Sequence, residues 1–194
     1  MVSLRRDHPP IGCVEVRGGW QTERMILRTP RLELREMTDD DLPALRAILQ
    51  DDRTMTAYEG AFDDEMVQAW LRRMRDRYRD DGFGLWAVVP RESGEMIGQC
   101  GLTRQHILDA DVVEVGYLFN RAQWHRGYAI EAATGCRDHA FTALDVDRLW
   151  AQVRDTNIAS MNVAIRLGMT VRGRFIKHYR GVDMPHLAFA VDRA

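Results

Sequence analysis

The chain has 194 residues, of which 45% are hydrophobic and 29% charged, as expected for a soluble globular protein. Lysine plus arginine total 27 and aspartate plus glutamate 29; a net charge of −2 argues against bulk binding to nucleic acid or to anionic membranes. No apolar run approaches the ~20 residues that span a bilayer, and no apolar stretch typical of a secretory signal follows Met1, so we expect a cytoplasmic protein. Three widely spaced cysteines argue against a disulfide framework.

The first 24 residues differ from the remainder. They contain Pro9-Pro10 and Gly18-Gly19 and show no helical or strand period. We therefore predict an N-terminal arm or extension over residues 1–24 and a single domain over residues 25–194. Within the domain, alternation of Leu32 and Leu34 with charged residues predicts a first strand from Arg31.

Two helices are predicted next, followed by a mixture of strands and helices. Acidic runs at residues 39–41 and from Asp63 mark the helix starts, since acids are favoured at the positive end of the helix dipole. The order of elements predicts an α/β domain, a mixed sheet with helices packed on it. The later strands are predicted at 83–89, 95–102, 112–119 and 148–153 and as a final pair, with helices at about 127–144 and 157–167.

One segment combines a strand, a short loop and a helix start. The strand runs from Glu114 to Phe119, and the loop leads through Trp124-His125-Arg126-Gly127 into Tyr128-Ala129-Ile130. Free amides and the dipole at a helix start bind anions, and small residues at Gly127 and Ala129 allow close approach. The segment therefore predicts a pyrophosphate site, although it matches neither the Walker A loop nor the G-x-G-x-x-G fingerprint.

A second segment, Asn157 to Met169, predicts an amphipathic helix that ends at Gly168 and continues into a strand. Asn157 and Ser160 lie three residues apart at the helix start. A functional interpretation places both at a ligand. The alternative is that Asn157 is only the N-cap residue and Ser160 a surface hydroxyl.

Together these segments resemble the GNAT superfamily of N-acetyltransferases. Residues 124–129 resemble its acetyl-CoA motif, Gln/Arg-x-x-Gly-x-Gly/Ala, and residues 157–169 resemble its second motif, Asn-x-x-Ser/Ala followed by Leu-Gly-Phe/Met. Residues 114–117 resemble its central strand, and residues 31–35 and 97–102 also match. The set covers about residues 27–192 in the family's order and is most similar to the RimJ/RimL-type branch, the ribosomal-protein N-terminal acetyltransferases and their relatives.

The resemblance implies the GNAT fold, with a sheet of about six to seven strands splayed at its centre and about four flanking helices. It also implies acetyl transfer from acetyl-CoA, the co-substrate, to a primary amine by direct attack in a ternary complex, without a metal. The acceptor would be a small-molecule amine or a protein N-terminus, and a homodimer is compatible with the family. The implied cofactor-binding residues are Leu118, Phe119, Trp124, His125, Arg126, Gly127, Tyr128, Ala129, Ile130 and Asn157.

The implied catalytic residues are Glu114, as the base that removes a proton from the amine, and Ser160, as the donor to the departing thiolate. A structural ion pair is the alternative for Glu114. Two positions depart from the family's pattern: Trp124 stands at the leading Gln/Arg position, and Ala164 stands where many members have a tyrosine acid. Tyr117 and Tyr179 are other candidate proton donors.

Further residues admit a functional and a structural interpretation. Cys136-x-x-His139 has metal-compatible spacing but no second pair, so we favour helix packing and predict no metal. His178 and His186 flank the last hairpin and lie either at the surface or at the acceptor. The acidic runs mildly favour a cationic acceptor. A catalytically weak acyl-CoA sensor and a nucleotide-binding α/β protein remain alternative functions.

Overall fold

The computed structural model describes residues 24–194. The predicted arm over residues 1–24 therefore lies almost wholly outside the described residues. The strands are β1 Met25–Arg28, β2 Leu32–Arg35, β3 Leu85–Pro90, β4 Gly98–Ile107, β5 Ala110–Phe119, β6 Arg148–Arg154, β7 Thr170–Tyr179 and β8 Val182–Asp192. The helices are α1 Leu42–Leu49, α2 Asp64–Asp80, α3 Tyr128–Ala143 and α4 Ile158–Arg166.

The strands form one mixed sheet in the order β1-β2-β3-β4-β5-β6-β8-β7. Every described pair of neighbours is antiparallel except β5 and β6. The prediction of a mixed α/β sheet with about four helices is confirmed, and the eight strands exceed the expected six to seven. The additional strand is β1, whose four partly exposed residues carry too short a pattern to be recognised from sequence.

The sheet divides at its centre. Between β5 and β6 the parallel pairing extends over only two residue pairs, whereas β5 continues to Phe119 along β4. Beyond these two pairs the strands are no longer hydrogen-bonded to each other, so the sheet opens toward the C-terminal end of β5. The paired residues are Val113 with Leu149 and Glu114 with Trp150.

The strands on one side of this opening pack very closely. A Cβ atom added to Gly101 on β4 would lie 2.0 Å from the carbonyl oxygen of Gly84 and 2.8 Å from Cα of Leu85, both backbone atoms of the adjacent segment. On β5, Gly116 is the register partner of Gly101, but a Cβ atom there would meet only a leucine methyl group at 3.4 Å. Gly101 is therefore required for strand packing, and Gly116 is not.

We expect Gly101→Ala to destabilise the fold by about 1–3 kcal/mol, because the backbone of the adjacent segment must move to admit the methyl group. Gly116→Ala is the matched control and should change the free energy of unfolding by less than about 1 kcal/mol. Chemical denaturation of both variants measures the difference. Equal stability of the two variants would contradict the packing argument.

Candidate functional site

Two cavities lie on either side of the central opening and meet there. The larger cavity, about 620 Å³, is bounded by the end of β5 and the starts of α3 and α4. The smaller cavity, about 320 Å³, is bounded by β5, β6, one face of α2 and the β7–β8 hairpin. Two ligands held in the two cavities would thus come into contact at the opening. The residues shared by both linings are Thr54, Ala57, Tyr117, Leu118, Arg154, Asn157 and Ser160.

The start of α3 forms one wall of the larger cavity. Gly127 adopts φ 78° and His125 φ 62°, so the loop turns sharply into the helix. The first backbone bond of the helix is donated by Glu131 to Gly127, which leaves the preceding amides without helical acceptors. The wall consists of Trp124, His125, Gly127, Tyr128, Ala129 and Ile130. Free amides and a helix dipole at one place suit an anionic ligand.

Arg126 differs from the other predicted loop residues because it does not line the larger cavity. It is exposed, and its carbonyl oxygen accepts a hydrogen bond from Nη1 of Arg31 at 3.1 Å. Its backbone carbonyl thus supports the loop, and a direct contact of Arg126 with a cofactor stays a prediction.

Glu131 sits in the first turn of α3, where its charge would repel an anion. Its carboxylate is held by the Arg31 guanidinium at 2.6 Å, the Arg31 amide at 2.8 Å and the Thr29 hydroxyl at 2.6 Å. Burial alone would raise the pKa of Glu131, but these hydrogen bonds outweigh it and lower the pKa. Arg31 also stacks 4.7 Å over the Tyr128 ring. The acid is therefore ionised, and Arg31 neutralises it.

Trp124 connects the loop to the end of β5. Its indole N–H donates to the carbonyl oxygen of Phe119 at 2.9 Å. The substitution at the leading position of the first motif thus supplies a structural bond between the two segments that form the larger cavity. Leu118 and Phe119 both line that cavity beyond the point where β5 loses its β6 partner.

Asn157 and Ser160 lie together at the start of α4, on the boundary of both cavities. The side-chain oxygen of Asn157 accepts from the Ser160 amide at 3.1 Å, so Asn157 is the N-cap residue. This capping bond occupies the oxygen and leaves the side-chain NH₂ group available to donate. The structural interpretation of Asn157 is thus correct, and it does not exclude contact with a ligand.

Tyr117 is a candidate tyrosine that contacts Ser160. Its hydroxyl donates to the Ser160 carbonyl oxygen at 3.2 Å, and burial raises its pKa well above the ordinary value. Ala164 is buried and supplies no hydroxyl. Tyr179 lines the smaller cavity only.

Glu114 lines the smaller cavity beside the opening. Its carboxylate accepts from the backbone N–H and from the side-chain NH₂ of Gln152 on β6, each at 3.1 Å. The Glu114 carboxylate thus accepts a hydrogen bond from a β6 backbone N–H that lies just beyond the last β5–β6 pair and has no backbone partner on β5. Burial raises the pKa of Glu114, and the Gln152 hydrogen bonds and the charge of Lys177 oppose this only in part.

His186 is buried and lines the smaller cavity, whereas His178 is exposed and bonded to Asp183 at 2.8 Å. The surface interpretation is therefore wrong for His186. Its Nδ1 lies 2.9 Å from the Met184 carbonyl oxygen, so Nδ1 carries the proton and Nε2 is left as an acceptor. Burial lowers the pKa of His186 and favours this neutral form.

The two residues with metal-compatible spacing, Cys136 and His139, contact different neighbours. The Cys136 sulfur lies 3.6 Å from that of Cys100, and the His139 ring packs edge-on against Trp86 at 5.7 Å. Both contacts fit helix packing. Among residues 24–194 there is no group of three or more side chains that could hold a metal ion, and no helix there is long and apolar enough to cross a bilayer.

Sequence reasoning missed two sets of residues. One set is Arg31 with Glu131, which are 100 positions apart in the chain. The other is Arg53 and Arg166, which bring positive charge to the larger cavity. Of the 27 basic residues, all but Lys177 are arginines, so no single arginine stood out.

Comparison with known proteins agrees with this geometry. The pattern of the family described as "Acetyltransferase (GNAT) domain" matches residues 31–170. The Bacillus subtilis (strain 168) protein YkkB is 36% identical over 144 residues, covering 74% of this chain and 84% of YkkB.

Two solved structures share the fold. An acetyltransferase from Agrobacterium tumefaciens C58 is 27% identical with a TM-score of 0.73, covering 98% of this chain and 100% of its own. RimL, a ribosomal L7/L12 alpha-N-protein acetyltransferase, was solved in complex with coenzyme A. It is 18% identical with a TM-score of 0.71, covering 87% of this chain and 98% of its own, and it shows the fold alone.

We expect Arg31→Met to weaken coenzyme A binding about threefold to tenfold, because it leaves the Glu131 charge uncompensated at the start of α3. The double variant Arg31→Met/Glu131→Gln removes that charge and should recover most of the affinity. Titration calorimetry measures both, with Arg28→Met as the control, since Arg28 pairs with Glu33 on the neighbouring strands. A double variant as weak as the single one would refute the electrostatic explanation.

Proposed function

This chain belongs to the GNAT family of acetyltransferases, and we propose that it moves the acetyl group of acetyl-CoA to a primary amine by direct attack in a ternary complex. The observation that carries the proposal is the pair of cavities meeting at the opening between β5 and β6. One cavity has the features of an anion-binding helix start, and the other holds a carboxylate with a raised pKa. A thioester from one side and an amine from the other would meet beside Tyr117 and Ser160.

Acetyl-CoA fits the larger cavity by its chemistry. Its pyrophosphate is matched by the amides at the start of α3 and by the cations Arg53 and Arg166. Its pantetheine amides need hydrogen-bonding partners, which the unpaired edge of β5 at Leu118 and Phe119 and the side-chain NH₂ of Asn157 can supply. RimL, which shares this fold, was solved in complex with coenzyme A.

The proposed reaction needs one base and one hydrogen-bond donor. An α-amine or lysine amine is largely protonated at neutral pH and attacks only after losing that proton. Glu114 takes the proton, directly or through water, and a carboxylate with a raised pKa is a better acceptor for it. The amine lone pair then forms the C–N bond, and the tetrahedral intermediate collapses by breaking the C–S bond.

The leaving group explains why Ala164 is tolerated in this proposal. A thiol has an ordinary pKa of ~8.5, so a thiolate departs with a hydrogen bond rather than a full proton transfer. The Ser160 hydroxyl supplies that bond, and Tyr117 holds Ser160 by its carbonyl oxygen. Coenzyme A acquires its proton after release.

We expect Glu114→Gln to lower kcat by about 10²–10⁴-fold while leaving the Kd of coenzyme A unchanged, because the base is lost and the larger cavity is not altered. Wild-type kcat/KM should fall as pH drops through the raised pKa of Glu114, since the base must be ionised, and the variant should lose this acid limb. Glu95→Gln, at an exposed position, is the control. Full activity of Glu114→Gln would show that Glu114 is not the base. The neutral His186 would then be the candidate base, and the variant His186→Gln would test it.

The hydrogen-bond donor to the thiolate is tested by comparing Ser160→Ala with Tyr117→Phe. Ser160→Ala should reduce kcat about tenfold or more with little effect on coenzyme A affinity, because the thiolate loses its donor. Tyr117→Phe should have a smaller effect, since it removes only the bond to the Ser160 carbonyl oxygen. A larger loss in Tyr117→Phe would make the tyrosine the donor.

Thiol release from acetyl-CoA across peptide N-termini, aminoglycosides and polyamines measures the overall reaction. No turnover together with a raised melting temperature in acetyl-CoA would favour the sensor. Stabilisation by ATP but not by acetyl-CoA would favour the nucleotide-binding alternative and overturn the cofactor assignment.

A further inference from the structure

The smaller cavity carries more positive than negative charge. Four basic side chains line it, and Glu114 is the only acid among its lining residues. Arg154 is neutralised, because it forms an ion pair with Glu59. The remaining cations are Arg73, Arg77 and Lys177, and none of the three forms an ion pair with a carboxylate of the described residues.

Two of these cations stand on one face of α2. Arg73 and Arg77 are four positions apart, so they are neighbours on successive turns. Arg73 packs over the Trp70 ring at 4.6 Å. Burial lowers the pKa of Arg77 and the charge of Arg73 lowers it further, whereas the charges of Asp81 and Glu114 oppose this in part. Arg73 is exposed and Arg77 is half-buried, and both line the cavity, so their guanidinium groups are available to an anion bound there.

Lys177 adds a third positive charge from β7, and its charge also acts on Glu114. His186 lines the same cavity, and burial lowers its pKa, which disfavours a further positive charge at this position.

The acidic runs that favour a cationic acceptor in the sequence lie outside this cavity. Asp39 pairs with Arg75, Asp41 with Arg35, and Asp64 with Arg46. None of these acids lines the smaller cavity. Their function is structural, so the expectation they raised does not carry over to the acceptor site.

We propose that the acceptor is a primary amine that also carries an anionic group, a carboxylate or a phosphate, which Arg73, Arg77 and Lys177 bind while the amine faces Glu114. The inference rests on the proposed acetyl transfer and adds the substrate class. A guanidinium pair matches the oxygens of either anion by hydrogen bonding. A diamine or polyamine would instead bring a second positive charge against three unpaired cations.

The test compares amines that differ only in the second group: γ-aminobutyrate, its uncharged amide, aminopropylphosphonate and putrescine, together with glycine and β-alanine and their amides. Turnover is followed by thiol release, and binding to the coenzyme A complex by calorimetry. We expect each anionic amine to exceed its amide at least tenfold in kcat/KM or affinity, and putrescine to be poorest. Comparison of γ-aminobutyrate with aminopropylphosphonate shows whether the site prefers a carboxylate or a phosphate-like group.

Variants on α2 locate the effect. Arg77→Gln and Arg73→Gln should each raise KM for the preferred anionic amine about tenfold with little change in kcat, and leave KM for the amide unchanged. Arg72→Gln, on an exposed position of the same helix outside the cavity, should behave as wild type. A variant that lost stability alone would raise both KM values or neither.

The outcomes separate this inference from the proposed function. Acetyl transfer with amides or putrescine preferred would overturn the anionic acceptor and leave the acetyltransferase reaction standing. Failure of every anionic amine to bind the coenzyme A complex would also overturn it. Absence of coenzyme A binding would overturn the proposed function first, which melting curves with and without acetyl-CoA detect independently.

Discussion

The opening between β5 and β6 is the constraint on which the site depends. The sheet can tolerate it because each strand has an antiparallel partner on its other side, β4 for β5 and β8 for β6. The hydrogen bonds lost between the two strands are partly replaced, since the Glu114 carboxylate accepts the Gln152 amide. The end of the β5–β6 pairing therefore both opens the sheet and leaves the Gln152 amide free to hold the candidate base Glu114.

Charge is distributed around the opening in a way that separates two tasks. At the start of α3 the one nearby acid, Glu131, is neutralised by Arg31, so the helix dipole faces the larger cavity without opposition. In the smaller cavity one carboxylate stands among several cations, of which only Arg154 forms an ion pair with an acid of residues 24–194. Acetyl-CoA and an acceptor amine with its own anion would each find a complementary surface.

Two departures from the family's pattern have physical counterparts in the structure. Trp124 replaces a polar leading residue, and its indole bonds the loop to the end of β5. Ala164 is buried in α4 and supplies no hydroxyl, but Ser160 lies one turn earlier on the same helix, and its carbonyl oxygen accepts a hydrogen bond from Tyr117. The low pKa of a thiol leaving group makes such a rearrangement chemically acceptable.

The sequence by itself determined the mixed α/β sheet, the four helices and the two helix-start segments that line the larger cavity, because alternation, helical spacing and helix-start signals are local. Asn157 as an N-cap residue was likewise readable from its position before the helix. Only the tertiary structure decided what depends on contacts between distant segments: the Arg31–Glu131 pair, the burial of His186, and the grouping of Arg73, Arg77 and Lys177 around Glu114. In a chain whose basic residues are nearly all arginine, composition cannot tell which arginines are paired. The physical reason is that the effect of a charged side chain depends on which groups it contacts and how deeply it is buried, and both are decided only when distant segments pack together.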